Sequence, residues 1–224
     1  IVIKNFYNLK KIIQIKKSLS KFTSYNISKK NGHSVFEKIK KKKYLKYFKK
    51  INLYIDEFNY FISTKTLNTA KQLIGKDVYY YNMGLHNKPP KISQPTPIHQ
   101  DNFYWNLKNK DGLTAYIPLN KQNKKNGGIG YFVGSHKDKT FDHKKSNTKA
   151  FSSFIENKQL EKYKLEFINA KPGDIIFHHC NIAHKTFKNM TQNQQRIAVA
   201  ITFYGIDAKF DIKMRNKYFN NLKN

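Results

Sequence analysis

Apolar positions in the first third of the chain recur at helical intervals among lysines. Residues 8–22 carry Leu9, Ile12, Ile13 and Leu19, and residues 34–49 carry Phe36, Ile39, Leu45 and Phe48. Both spacings predict helices with basic outer faces. The run from Lys40 to Lys43 reads as a solvated face. Residues 51–62 predict a further helix, and Thr66 to Leu73 a short one with Gly75 as its C-terminal cap. None of these segments carries obvious chemistry.

The pattern changes at Asp77. Val78 to Met83 is rich in β-branched and aromatic residues and predicts a strand. Lys88-Pro89-Pro90 opens a turn-rich link, followed by a strand through His99 and another near Leu113 to Leu119. Asn126-Gly127-Gly128 is a turn signal. It leads into a strand over Ile129 to Val133, closed by Gly134-Ser135-His136. Residues 137–163 are polar and predict an insertion near the mouth of a site, with one helix around Phe151 to Gln159. The turn Pro172-Gly173-Asp174 feeds a buried strand from Ile175 to His178, and a last strand runs from Arg196 to Phe203. The charged tail from Asp207 is either a short helix or frayed. Many short strands with Gly and Pro between them predict a mainly β sandwich or barrel. The expected organisation is one domain over 1–224: a helical part at 1–75, a β core at 76–206, and a tail at 207–224.

Composition alters this picture little. The net charge is +29, yet Arg196 and Arg215 are the only arginines. Proteins that read bases or clamp phosphates lean on the planar fork of arginine. The lysines are therefore read first as ordinary surface residues of an AT-rich coding sequence. A polyanion-binding surface is the second reading, and no specific nucleic acid is expected as a partner. Aromatic residues make up 15% of the chain and supply core area that its modest aliphatic content does not. Cys180 is the single cysteine, so no intrachain disulfide forms, which fits a cytoplasmic setting. No apolar run reaches the roughly 18–20 residues of a membrane span. The lysines among residues 1–19 interrupt any signal-peptide core. The sequence opens on Ile1 and not on methionine, which leaves room for a preceding segment.

The chemistry-bearing stretch is Thr96 to Trp105. His99 and Asp101 lie two apart, and on an extended strand they share one face. One imidazole and one carboxylate aimed at one point are two-thirds of a 2-His-1-carboxylate iron site. His184 follows the buried strand, and Arg196 comes twelve positions later. Three ligands on one face of Fe(II) leave room for a bidentate 2-oxo acid and O2. An arginine gives the far carboxylate of such a cosubstrate a permanent bidentate grip.

This ordered set resembles the phytanoyl-CoA dioxygenase family of Fe(II)/2-oxoglutarate oxygenases. The landmarks run from about Leu73 to Gly205. They are Asn87-Lys88-Pro89-Pro90, His99-Gln100-Asp101, Asn126-Gly127-Gly128, Gly134-Ser135-His136, Gly173-Asp174, and His184 with Thr186, Asn189 and Arg196. The resemblance implies a double-stranded β-helix, a jelly-roll and cupin-like core, behind the N-terminal α-helices. It implies iron on His99, Asp101 and His184, and 2-oxoglutarate paired with Arg196. It places Thr186 beside the distal carboxylate and Tyr116 against the cosubstrate. O2 would be consumed, succinate and CO2 released, and an unactivated C–H of a small molecule hydroxylated. Asp101 stands where related halogenases have lost the carboxylate, which favours hydroxylation. The N-terminal third matches nothing in the resemblance. Residues 137–163 do not choose among acyl-CoA thioesters, amino-acid-derived solutes and natural products, and oligomeric state is not legible.

Blander readings stand beside several of these. His178 and His179 are neighbours and face opposite ways, and each reads first as a core or surface histidine, though one can line the pocket. His136 reads as structural at its strand end, and Cys180 as a small buried hydrophobe. Tyr104 and Trp105 either shape the pocket or pack. No nucleophile elbow and no P-loop is present. Two further function classes remain: a cupin-like metal protein without oxygenase activity, and a lysine-rich binder of anionic surfaces.

Overall fold

The computed structural model describes residues 1–25, 33–39, 42–91, 93–148, 151–214 and 216. Among the described residues, thirteen strands and three named α-helices follow one another along the chain. They are β1 (Val2–Ile3), α1 (Leu9–Tyr25), β2 (Ser34–Ile39), β3 (Lys42–Lys49), α2 (Thr64–Ile74), β4 (Val78–Lys88), β5 (Thr96–His99) and α3 (Asp101–Trp105). Then come β6 (Gly112–Pro118), β7 (Ile129–Phe132), β8 (Lys144–Thr148), β9 (Phe151–Phe154), β10 (Leu165–Phe167), β11 (Ile175–His179), β12 (His184–Thr186) and β13 (Arg196–Gly205). A seven-stranded sheet has the order β1-β11-β6-β13-β4-β3-β2, and a four-stranded sheet the order β10-β7-β12-β5. β8 and β9 form a separate hairpin. This is the mainly β, jelly-roll architecture that the sequence leads one to expect.

The large sheet is buried on both faces, and its period of two sorts the chemistry. Leu113, Ala115, Ile117, Ile175, Phe177, Val199, Ile201 and Phe203 belong to one apolar cluster, together with Ile12, Ile15 and Leu19 of α1. The alternate residues Thr114, Tyr116, His178, Arg196, Ala200 and Thr202 line a cavity on the opposite face. One face of the sheet is thus a hydrophobic core beneath helices, and the other is the wall of a polar pocket.

The first third departs from expectation. Residues 34–39 and 42–49 are not helical but the paired strands β2 and β3, which extend the large sheet through β4. Tyr47 pairs with His86 and Phe48 with Leu85. Phe48 is fully buried in the apolar cluster, and Tyr47 faces the cavity. That alternation is the strand period; the helical spacing of Phe36, Ile39, Leu45 and Phe48 was coincidental, and the aromatic residues favour the strand. Lys40 and Lys41 lie outside the described residues. Residues 51–62 form two 3₁₀ turns, Ile51–Leu53 and Asp56–Ile62, in place of one helix. α2 matches its prediction. The hydroxyl of Ser63 accepts the N–H of Thr66 at its start, and Gly75 closes it at φ 82°.

Two further expectations change. Residues 151–159 hold strand β9 and a 3₁₀ turn (Asn157–Leu160), not a helix. The N–H of Ile155 donates to the carbonyl of Ile98, which ties the insertion to the His99 strand. Asp101 is not on that strand: β5 ends at His99 and Asp101 opens α3. In the tail, residues 212–214 are helical, and Leu107 bridges to Phe210. Among the described residues, no helix is long and apolar enough to cross a membrane.

Candidate metal centre

β5 and β12 are antiparallel neighbours, and their register sets His184 directly opposite His99. The two imidazole centroids are 4.2 Å apart. Asp101 Oδ1 lies 3.7 Å from His99 Nε2 and 3.8 Å from His184 Nε2. One ligand atom from each of the three residues fits within 4.8 Å of the others. The pair His99–Asp101 converges as the sequence led one to expect, but by a different route. The turn into α3, not strand parity, brings the carboxylate round.

The imidazoles are oriented for a metal. His99 Nδ1–H donates to the Pro97 carbonyl at 2.9 Å, and His184 Nδ1–H to the Ile182 carbonyl at 3.0 Å. A carbonyl only accepts, so each ring carries its proton on Nδ1 and presents the Nε2 lone pair to the common point. Burial, helped by His184, pushes His99 down to about 3, which keeps it neutral. For Asp101, burial pulls the carboxyl upward. The hydrogen bond from His178 and the surrounding imidazoles outweigh it and hold the group well below the usual carboxylate range. Two imidazole nitrogens and one carboxylate oxygen suit a first-row divalent metal with open positions.

Arg196, Tyr116 and Thr186 line the same cavity, whose volume is about 190 Å3. Arg196 is 2% exposed. Its Nη1 donates to the Tyr116 hydroxyl at 3.2 Å, and its Nε is buried without a partner. The Tyr116 hydroxyl in turn donates a hydrogen bond to Gln122 Oε1 at 2.9 Å. Thr186 Oγ1 accepts the N–H of Thr96 at 3.1 Å and keeps its hydroxyl proton to donate. The pocket therefore offers a buried cation and a hydroxyl donor, the chemistry a carboxylate needs.

Sequence reasoning understated several residues. His178 lines the cavity, and its Nε2–H donates to Asp101 Oδ2 at 3.2 Å. The signal for it was parity: with Ile175 and Phe177 in the apolar core, His178 must face the cavity. Thr114 Oγ1 also donates to Asp101 Oδ2, at 2.7 Å. Tyr47, His86 and Phe151 line the pocket as well, each from a segment whose secondary structure or role was not foreseen. Trp105 is a wall residue, whereas the Tyr104 hydroxyl donates to the Ser153 carbonyl. His179 turns away and accepts the Asn181 N–H, and the His136 ring, in the turn after Gly134, lies tilted against it with centroids 5.7 Å apart. Cys180 is fully buried, and burial raises its thiol far above the ordinary range.

Comparison with known proteins agrees with this geometry. The chain is 27% identical over 178 residues to a probable alpha-ketoglutarate-dependent hypophosphite dioxygenase of Stutzerimonas stutzeri, covering 77% of this chain and 59% of that protein. It is 28% identical over 137 residues to a 1-deoxypentalenic acid 11-beta-hydroxylase of Streptomyces arenae, covering 56% of this chain and 48% of the relative. The chain thus spans about half to three-fifths of the length of these curated relatives. Among solved structures, EctD from S. alaskensis with 2-oxoglutarate and 5-hydroxyectoine superposes with a TM-score of 0.77 at 16% identity, covering 94% of this chain and 73% of EctD. The epimerase SnoN in complex with Fe3+, alpha ketoglutarate and nogalamycin RO gives a TM-score of 0.76 at 16% identity, covering 94% of this chain and 80% of SnoN. At such identities the likeness is one of fold. The family model for phytanoyl-CoA dioxygenase (PhyH) matches residues 1–198, and this chain belongs to that family.

Proposed function

We propose that this chain is an Fe(II)- and 2-oxoglutarate-dependent oxygenase that hydroxylates an unactivated C–H of a small organic molecule. The observation that carries the reading is Arg196: a buried guanidinium with an unpartnered Nε, lining the cavity that also holds His99, Asp101 and His184. A cupin-like metal protein without a carboxylate cosubstrate leaves that cation without a purpose.

His99 Nε2, Asp101 Oδ1 and His184 Nε2 would hold iron, and Arg196 with Thr186 would bind the distal carboxylate of 2-oxoglutarate. Bound iron would supply the oxidation, in which O2 gives one oxygen atom to succinate as CO2 leaves and the other to the substrate carbon. The chain's own part is to position and to exclude water. Tyr116 keeps its proton because burial raises its phenol, an effect that outweighs the opposing pull of Arg196. It therefore orients the guanidinium as a neutral partner. Trp105, Phe151 and Tyr47 supply aromatic wall, which supports an organic substrate. The retained carboxylate of Asp101 supports hydroxylation over halogenation. The lone, buried thiol of Cys180 fits a reducing cytoplasmic setting.

The test is anaerobic titration of metal-free protein with Fe(II) and then 2-oxoglutarate, following the visible charge-transfer band. The band is expected only after both additions, absent in His184→Ala and weakened in Arg196→Ala. Folded, iron-loaded protein that gives no band would move the cupin-like reading to the front.

A further inference from the structure

Behind Asp101 lies a chain of hydrogen-bonded side chains, Thr114, His178 and Tyr131. Asp101 Oδ2 accepts the Thr114 hydroxyl at 2.7 Å and His178 Nε2–H at 3.2 Å. The other nitrogen of His178, Nδ1, lies 3.0 Å from the Tyr131 hydroxyl. With the His178 proton on Nε2, the phenol is the donor and the imidazole Nδ1 the acceptor. Tyr131 in turn sits opposite His184 in the register of β7 and β12. The relay is thus anchored to the strand pair that carries a metal ligand.

We propose that His178, backed by Tyr131, is a positioning residue that keeps Asp101 a one-oxygen metal ligand. The inference rests on the oxygenase reading of the same site. A carboxylate oxygen has two in-plane lone pairs. On Oδ2 both are taken, by a hydroxyl from β6 and an imidazole from β11. Oδ1 is the oxygen that faces His99 and His184. A carboxylate released from this hold is free to turn and bind a metal through both oxygens. That would close one of the positions that a bidentate keto acid and O2 require. Tyr131 matters because a lone imidazole flips and tilts, whereas one with both nitrogens engaged does not.

The same anaerobic titration tests this, read as metal affinity and as the band at saturating Fe(II). His178→Phe is expected to lower Fe(II) affinity by about ten- to a hundredfold, the usual effect of losing an outer-sphere partner. It is also expected to weaken or shift the 2-oxoglutarate band. His178→Gln, whose amide N–H reaches for the same oxygen, restores most of both. Tyr131→Phe gives an intermediate loss and decides the matter where His178→Phe does not fold. A packing role alone would lower the melting temperature of these variants and leave the band at saturating metal unmoved, and that result overturns the proposal. No band in the parent protein overturns the oxygenase reading instead.

Discussion

Arg196 holds a charge that, among the described residues, no carboxylate neutralises within ion-pair distance. Burial lowers its pKa, which is the same cost seen from the proton's side. An unpaired buried charge destabilises a fold until its partner arrives. Arg196→Met is therefore expected to leave the cofactor-free protein at least as stable as the parent in thermal melts. It should at the same time raise the dissociation constant of 2-oxoglutarate about thirtyfold or more, from the roughly 2–5 kcal/mol lost when one side of a buried charge pair is truncated. A large drop in melting temperature would show that Arg196 is structural. At this scale the grouping of His99, Asp101, His184 and Arg196 around one cavity was legible because their residue types and order are restrictive. The way Asp101 arrives was not legible, since a strand that stops after His99 and one that runs on through Asp101 look alike in sequence. His178 was not separated from His179, because the parity that turns it inward decides only once Ile175 and Phe177 are placed in the core.

The strand pair β2–β3 is the element that sequence periodicity misjudged most, and it contributes directly to the pocket. Its lysines obscure the alternation, so that only Tyr47 and Phe48, on opposite faces, reveal the strand. Its fit against β4 depends on Gly84. A Cβ built there would lie 2.5 Å from Cε2 and 2.7 Å from the hydroxyl oxygen of Tyr47. Gly84→Ala is expected to cost about 1–3 kcal/mol in chemical denaturation, the range for overpacking a filled site. The variant Gly84→Ala with Tyr47→Ala removes the clash, so the two losses should fall well short of adding. Strict additivity would mean that Tyr47 already moves freely. Elements with strong punctuation, such as α2 between Ser63 and Gly75, were legible because caps act locally. Residues 151–154 form a strand by pairing with β8, Lys144 opposite Phe154 and Lys145 opposite Ser153, and a single sequence does not display such partners.

At the scale of the whole molecule, the lysine charge stays off the cavity wall, although Lys88 and Asp174 are buried elsewhere. The chain carries +29, yet among the described residues Arg196 is the one permanently cationic side chain on the cavity wall. The cavity wall instead holds imidazoles that burial keeps neutral: His86, His99 and His178. Burial is the first cause in each case: it pushes His86 and His99 down to about 3, and His178 down to about 4. The unfolded chain protonates such rings near 6.5. Above that pH both states are neutral and these residues give no pH dependence. Below it the unfolded state binds protons that the fold refuses, so stability falls as pH drops from 6.5 towards 4. Each ring costs up to about 1.4 kcal/mol per pH unit across that window. Asp101 acts in a different window. Its lowered pKa adds stability above the ordinary carboxylate value of 3.8, and that stability is lost only below it. Thermal melts of the metal-free protein should therefore show a plateau above pH 7 and a steep decline below pH 6.5. Fe(II) added at pH 7 should raise the melting temperature, because metal binds the folded site and not the unfolded chain. A melting temperature that stays level down to pH 4.5 would mean that the folded chain takes up these protons, and that the cavity is wetter and more open than its packing indicates.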